Sequence, residues 1–363
     1  MRVHVVDPPA YTPPYDHALS AALAEAGADV TLVTSAFPYG AVPEGDGYRV
    51  DERFYRRAAG RPGGALRRAT RLASHVPDLL GYRRAARAAD VVHVQWLAIP
   101  QLDGPLLPRR PLVITAHDVL PREPRPGQLA AQARLYGRAD AIVALSEHGR
   151  GRLTHELAID PAKVEVIPHG ALDHLTRVSD PALPRGLDAF DGPVALCFGL
   201  LRPYKGLDVL VEAWRGIERA ELWIVGRPRM DTSALHAAAP AGVRFVERFV
   251  SDSEAAGLFR RADLVVLPYR EIEGSGVLAT ALAFGRPLVL TDVGSFPDVA
   301  ATGAAELVPA GDAAALHDAL RALVRDADRR ARLAAAARAA AAGPYAWGPI
   351  AERHLALYGR LLA

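Results

Sequence analysis

Three segments of this 363-residue chain place polar residues directly after short apolar runs. Such runs read as parallel strands, and an open parallel sheet presents its ligands at the strand ends. The first segment is Phe198-Gly199-Leu200-Leu201-Arg202-Pro203-Tyr204-Lys205-Gly206. A glycine just past a strand lets the backbone approach a ligand, and two cations ahead of a helix start make a site for a diphosphate. Lys205 carries more weight than Arg202, because Lys163 and Lys205 are the only lysines among 43 basic residues. The second segment is Glu273-Gly274-Ser275-Gly276-Val277. Free N–H groups at a helix entry suit an anion, and the carboxylate before them suits sugar hydroxyls. The third is Thr115-Ala116-His117-Asp118, whose imidazole can donate to a substrate hydroxyl or a leaving phosphate. Each has an ordinary alternative when taken alone: surface cations, a helix cap and a structural histidine.

Other chemistries find little support. No G-x-G-x-x-G, P-loop or G-x-S-x-G sequence occurs, and no His/Glu cluster has metal-ligand spacing, so no metal site is expected. Cys197 is the only cysteine and lies within Val194-Ala195-Leu196-Cys197-Phe198, where a buried inert thiol is expected. Half the residues are apolar and 23% are charged, which fits a globular protein. A net charge of +2 points to no nucleic-acid partner. Between Arg53 and Arg87, however, ten arginines face a single acid, Asp78. That run reads as a solvated helix face or as a surface for peripheral membrane contact. The first residues do not resemble a signal peptide, and no apolar stretch approaches the ~20 residues of a membrane helix. A cytoplasmic protein, free or peripheral at a membrane, is expected.

These segments need strands to position them. Predicted strands are Val3 to Val6, Val30 to Thr34, Val91 to Val94, Leu112 to Thr115, Ala141 to Ala144 and Val164 to Ile167. A second series follows: Val194 to Phe198, Glu221 to Val225, Val243 to Phe245, Leu264 to Leu267, Leu288 to Leu290 and Glu306 to Val308. Helical patterns such as Ala18 to Glu25, Leu207 to Trp214 and Leu278 to Phe284 separate them, the habit of a parallel sheet covered on both faces. Ala89-Asp90-Val91, Ala139-Asp140-Ala141 and Ala262-Asp263-Leu264 repeat one helix-to-strand joint in both halves. The fold class is therefore α/β, with two Rossmann-like domains over residues 1–175 and 190–345, divided within Ala171 to Pro193. The helix predicted from Trp347 to Leu362 either ends the second domain or packs back on the first.

In order and spacing, the motifs resemble glycosyltransferase family 4, with similarity through most of the chain. Besides the three segments, they include Val166-Ile167-Pro168-His169-Gly170, Ala262-Asp263-Leu264-Val265-Val266-Leu267-Pro268-Tyr269, Gly285-Arg286-Pro287 and Gly294-Ser295-Phe296-Pro297-Asp298. The resemblance implies a GT-B fold of two parallel sheets facing across a cleft. It further implies a retaining transferase that takes a UDP- or GDP-sugar in the second domain and a small-molecule, glycan or lipid-linked acceptor on the first, without a cofactor. Lys205 would hold the diphosphate with Arg202 assisting. Glu273 would touch the sugar, and Ser275, Gly276 and Val277 would offer N–H groups to the diphosphate. Gly199, Gly226 and Gly274 would allow close approach, and His117 would reach the sugar from the first domain.

Three positions depart from the family pattern. The second glutamate, which binds the ribose eight positions after Glu273, is Ala281 here. Leu200 replaces an arginine, and Pro8-Pro9-Ala10-Tyr11-Thr12-Pro13-Pro14 replaces a glycine pair. A sugar-nucleotide epimerase and a non-catalytic sugar-binding protein are the rival readings.

Overall fold

The computed structural model describes residues 1–38, 40, 42, 45–121, 126–187 and 190–363. It forms two compact units: residues 1–168 together with 347–363, and residues 169–346. Unit 1 holds strands β1 (Arg2–Asp7), β2 (Asp29–Thr34), β3 (Arg49–Asp51), β4 (Val91–Val94), β5 (Leu112–Ala116), β6 (Ala141–Ala144) and β7 (Val164–Val166). They pair in parallel in the order β3-β2-β1-β4-β5-β6-β7. Unit 2 holds β8 (Val194–Phe198), β9 (Glu221–Val225), β10 (Val243–Val246), β11 (Leu264–Leu267), β12 (Leu288–Thr291) and β13 (Ala305–Val308). Their order is β10-β9-β8-β11-β12-β13, again parallel.

The central strands of each sheet are buried on both faces, which is why they read as apolar runs. Along β8, Val194 and Leu196 join one core cluster while Ala195 and Cys197 join the other. In unit 1, Val92 and Val94 fall in one cluster and Val91 in the opposite one. Every fully buried Val or Leu stabilises by roughly 1.5–3 kcal/mol, so the central strands anchor each unit. Burial also pushes the Cys197 thiol up to about 11, which leaves it inert.

The repeated Ala-Asp joint has a physical role. Asp90, Asp140 and Asp263 each precede a strand, and each carboxylate accepts the N–H that opens the neighbouring strand: Arg2 at 2.8 Å, Leu112 at 2.8 Å and Val194 at 2.9 Å. Each aspartate also returns its own N–H to the carbonyl of that same residue. The pair of bonds fixes strand register at the amino edge of both sheets.

Three features differ from the sequence expectation. Strand β3 is exposed at the sheet edge and lacks an apolar run, so no pattern announced it. The first helix spans Pro13–Glu25 rather than beginning at Ala18, because Pro13 and Pro14 occupy its first turn, where no N–H is needed. The units divide at Pro168 and His169, and the aperiodic stretch that follows supplies Ala171, Leu175 and Leu187 to the core of unit 2.

The last helix, Trp347–Leu362, belongs to unit 1. It buries Ile350, Ala351, Leu357 and Tyr358 against Val3, Val5, Tyr15 and Leu19. Tyr358 Oη lies 2.6 Å from His93 Nδ1, and His93 Nε2 lies 2.7 Å from Thr115 Oγ1. Burial holds His93 well below its ordinary range and His354 down to about 4. The unfolded chain protonates these imidazoles near pH 6.5, whereas the folded chain resists until far lower. The folded state thus binds fewer protons in that window, and its stability falls as pH falls from about 6.5 toward 4. Melting temperatures are expected to be lower at pH 5 than at pH 7, with a shallower pH dependence in His354→Gln. Equal slopes for both proteins would remove His354 from the effect.

Candidate functional site

In unit 2, β8 is the switch point of the sheet, with β9 on one side and β11 on the other. Backbone crowding at the strand ends shapes what lies there. Gly226 ends β9 with φ +153°, and a Cβ on it would lie 2.0 Å from the Gly199 carbonyl oxygen. Gly206 has φ +64°, and its Cβ would lie 2.1 Å from the Pro268 carbonyl oxygen. The loop after β8 thereby crosses the end of β11, where Arg270 N–H donates to Tyr204 O at 2.7 Å.

Lys205 sits on the short turn Pro203–Lys205 and is only 4% exposed. Its ammonium donates to Phe198 O at 3.0 Å and lies 5.0 Å from the centre of the Tyr269 ring. A Cβ on Gly199 would come within 2.9 Å of Lys205 Nζ and 3.2 Å of Val277 Cγ2, so these three residues meet. The helix Gly276–Ala283 starts beside them, capped by Ser275 Oγ accepting from Leu278 N–H at 3.3 Å. Its first-turn N–H groups have no acceptor within the helix. Glu273 is buried and Gly274 half-buried on the approach to that helix. Unit 2 thus brings Gly199, Lys205, Gly226 and Val277 together next to Ser275 and Gly276. Arg202 is exposed at the cap of the Lys205 turn. A buried ammonium between a carbonyl, an aromatic face and a helix start can neutralise an anion at low reorganisation cost.

His117 lies in unit 1 at the end of β5. Its ring stacks on Trp96 at 4.9 Å and 9°, and Tyr15 meets it edge-on at 4.8 Å. Its Nε2 is 3.1 Å from Gln95 Oε1. Trp96 Nε1 donates to Thr12 Oγ1 at 2.9 Å, which ties the end of β4 to the loop after β1. That loop is proline-rich yet reproduces a glycine-like turn, because Ala10 adopts φ +53°. The turn is held by Asp7, whose carboxylate accepts from Tyr11 and Thr12 N–H at 2.6 and 3.3 Å. Asp7 and Asp16 are both buried, and that burial pushes both carboxyls up. A cavity of about 200 Å³ opens beside His117, lined by Tyr11, Trp96, Asp118, Gln132 and Tyr136. Sequence reasoning found His117 but missed Gln95 and Trp96, which reach it only because β4 pairs between β1 and β5, and Asp7 and Asp16, which lie at the turn between β1 and the first helix. Among the described residues, no group of three His, Cys, Asp or Glu is placed to hold a metal ion.

Two open parallel sheets, each with its polar residues at the strand carboxyl ends, define the GT-B class of fold. The structure of the Anabaena protein HepE in complex with UDP and glucose superposes with a TM-score of 0.73 at 18% identity, covering 99% of this chain and all of that one. Residues 15–171 match the model of Glycosyltransferase Family 4, and residues 192–326 that of Glycosyl transferases group 1. A D-inositol 3-phosphate glycosyltransferase of Xylanimonas cellulosilytica is 30% identical over 304 residues, covering 75% of this chain and 72% of the relative. The enzyme of that name from Frankia alni is 30% identical over 258 residues, 66% of this chain, and the match spans 63% of the relative's length. The chain belongs to glycosyltransferase family 4.

Ala281, at the position of the family's second glutamate, is fully buried in the apolar core with Leu278, Leu282 and Ala337. A carboxylate there loses hydration and crowds its neighbours. Ala281→Glu is therefore expected to destabilise unit 2 by about 2–4 kcal/mol, without tightening nucleoside diphosphate binding. An unchanged melting temperature combined with tighter binding by calorimetry would reverse this reading.

Proposed function

We propose that the chain is a retaining glycosyltransferase that moves a sugar from a UDP- or GDP-sugar to a hydroxyl of a small-molecule, glycan or lipid-linked acceptor. The observation that carries this reading is Lys205, one of two lysines in an arginine-rich chain, buried and held beside Gly199 and the start of the helix Gly276–Ala283. As the bond from the anomeric carbon to the diphosphate breaks, negative charge grows on the leaving oxygen. Lys205 and the N–H groups of Gly276 and Val277 meet that charge, with Arg202 assisting from the surface. Glu273 holds hydroxyls of the transferred sugar. The cavity beside His117 takes the acceptor, where Trp96 and Tyr136 offer aromatic faces to a ring and Gln132 an amide to its hydroxyls. No metal or other cofactor takes part in this scheme. The names of the relatives support glycosyl transfer, and the UDP and glucose bound by HepE support the donor class.

Release of nucleoside diphosphate from a panel of UDP- and GDP-sugars, with and without candidate acceptors, tests the proposal. Rearranged donor without release would favour an epimerase, and binding without turnover a sugar-nucleotide-binding protein. Lys205→Ala should lower kcat/KM by about two to three orders of magnitude, the usual scale for a preorganised group facing developing charge. A near-normal value would remove Lys205 from the diphosphate site.

His117→Ala should lower kcat more than it weakens donor binding, because a contact to the reacting sugar strengthens in the transition state. Melting temperature measured on the same variant separates the roles. A less stable protein with full activity in its folded fraction would make His117 structural.

A further inference from the structure

The helix Ala65–Ala85 of unit 1 carries apolar side chains on its outer face as well as its inner one. It buries His75, Leu79 and Tyr82, while Leu66, Leu72, Val76 and Leu80 are exposed, Leu66 and Leu72 to 61%. His75 is satisfied inside by Asp103 and by Tyr55 Oη at 2.8 Å, so the inward polar group is structural. Leu72, Val76 and Leu80 recur at four-residue spacing and form one outward stripe. Arg67, Arg68 and Arg71 flank its beginning, and Arg83, Arg84 and Arg87 its end.

Leu80 is also the rim of a concavity of about 660 Å³ whose wall includes Arg83, Arg84, Arg87, Arg109 and Arg110. Among the described residues no carboxylate pairs with these five arginines. The nearby acids are committed elsewhere: Asp78 accepts from Tyr55 N–H and Asp140 from Leu112 N–H. Five like charges around one hollow repel each other unless an anion enters, and an exposed leucine stripe gains by leaving water. Arg87 precedes β4 and Arg109 and Arg110 precede β5, so the hollow lies at the amino edge of the sheet. His117 and its cavity lie at the carboxyl edge of the same sheet.

We infer that this face of unit 1 docks on an anionic lipid bilayer, with the arginines taking headgroup phosphates and Leu72, Val76 and Leu80 entering the headgroup–acyl boundary. Charge complementarity and the contiguous apolar stripe require both features of one surface, and a bilayer offers both at once. The opposite edge of the sheet stays open to ligands in this arrangement. The inference stands on this face alone and does not use the reaction proposed above.

Cosedimentation of the full chain with vesicles tests it, using phosphatidylcholine with and without phosphatidylglycerol at low salt. Binding is expected only to the anionic vesicles and should weaken as salt is raised. Arg84→Ala and Arg109→Ala should each lower partitioning about fivefold, and Leu72→Ser with Leu80→Ser about tenfold, at unchanged melting temperatures. No binding at low salt would overturn the inference, as would equal binding to both vesicle types or indifference to these substitutions. Calorimetric binding of inorganic phosphate without vesicle binding would make the hollow a site for a free anion. A concentration-dependent dimer abolished by Leu72→Ser, again without vesicle binding, would assign the stripe to a second copy of the chain.

Discussion

The candidate donor site depends on backbones approaching more closely than any side chain permits. At the carboxyl end of unit 2's sheet, the ends of β8, β9 and β11 converge, and Gly206 and Gly226 stand where a Cβ would strike a carbonyl oxygen. Because those strand ends crowd together, the turn Pro203–Lys205 folds inward rather than out. Its lysine then lies beneath the loop, against Phe198 O and the Tyr269 ring. The helix starting at Gly276 reaches the same point through Val277. An ammonium fixed this way has lost its conformational freedom before any ligand arrives, which distinguishes it from a surface lysine.

Much of this was legible in the sequence, for a definite reason. Strands buried on both faces write themselves as apolar runs, as Ala141–Ala144 and Leu264–Leu267 do, and all twelve strands expected from the sequence are present. The edge strand Arg49–Asp51 has no buried face and so left no trace. Glycines and lone charges after strands singled out Gly199, Lys205, Glu273 and His117, because such residue types stand out against the apolar runs before them. Trp96, Gln95 and Asp16 carry no such mark. Gln95 and Trp96 reach the loop after β1 because β4 pairs beside β1, although 83 residues lie between Asp7 and Val91 in the chain, and Asp16 meets that loop from the helix that follows it.

The Ala-Asp repeat shows a second kind of legibility, in which a pattern was visible before its purpose was. One aspartate before each of β4, β6 and β11 ties the opening N–H of an adjacent strand. Parallel sheets lack tight hairpins to set register, so a side chain at the strand entry supplies it. Both units solve that problem with the same residue. Ala281 teaches the converse lesson: a gap in a motif looks functional in sequence, yet here the position is core.

The return of the helix Trp347–Leu362 to unit 1 gives the two units different histories on the ribosome. Residues 169–346 emerge as one uninterrupted piece and hold everything their own core requires. Residues 1–168 emerge first but remain without the helix that covers Val3, Val5 and Tyr15. At about 5–20 residues per second, unit 2 takes on the order of ten to thirty seconds to be synthesised. During that interval the older half of the chain carries an uncovered apolar face. The part made first is therefore the part completed last, and nascent unit 1 is where chaperone attention is most needed.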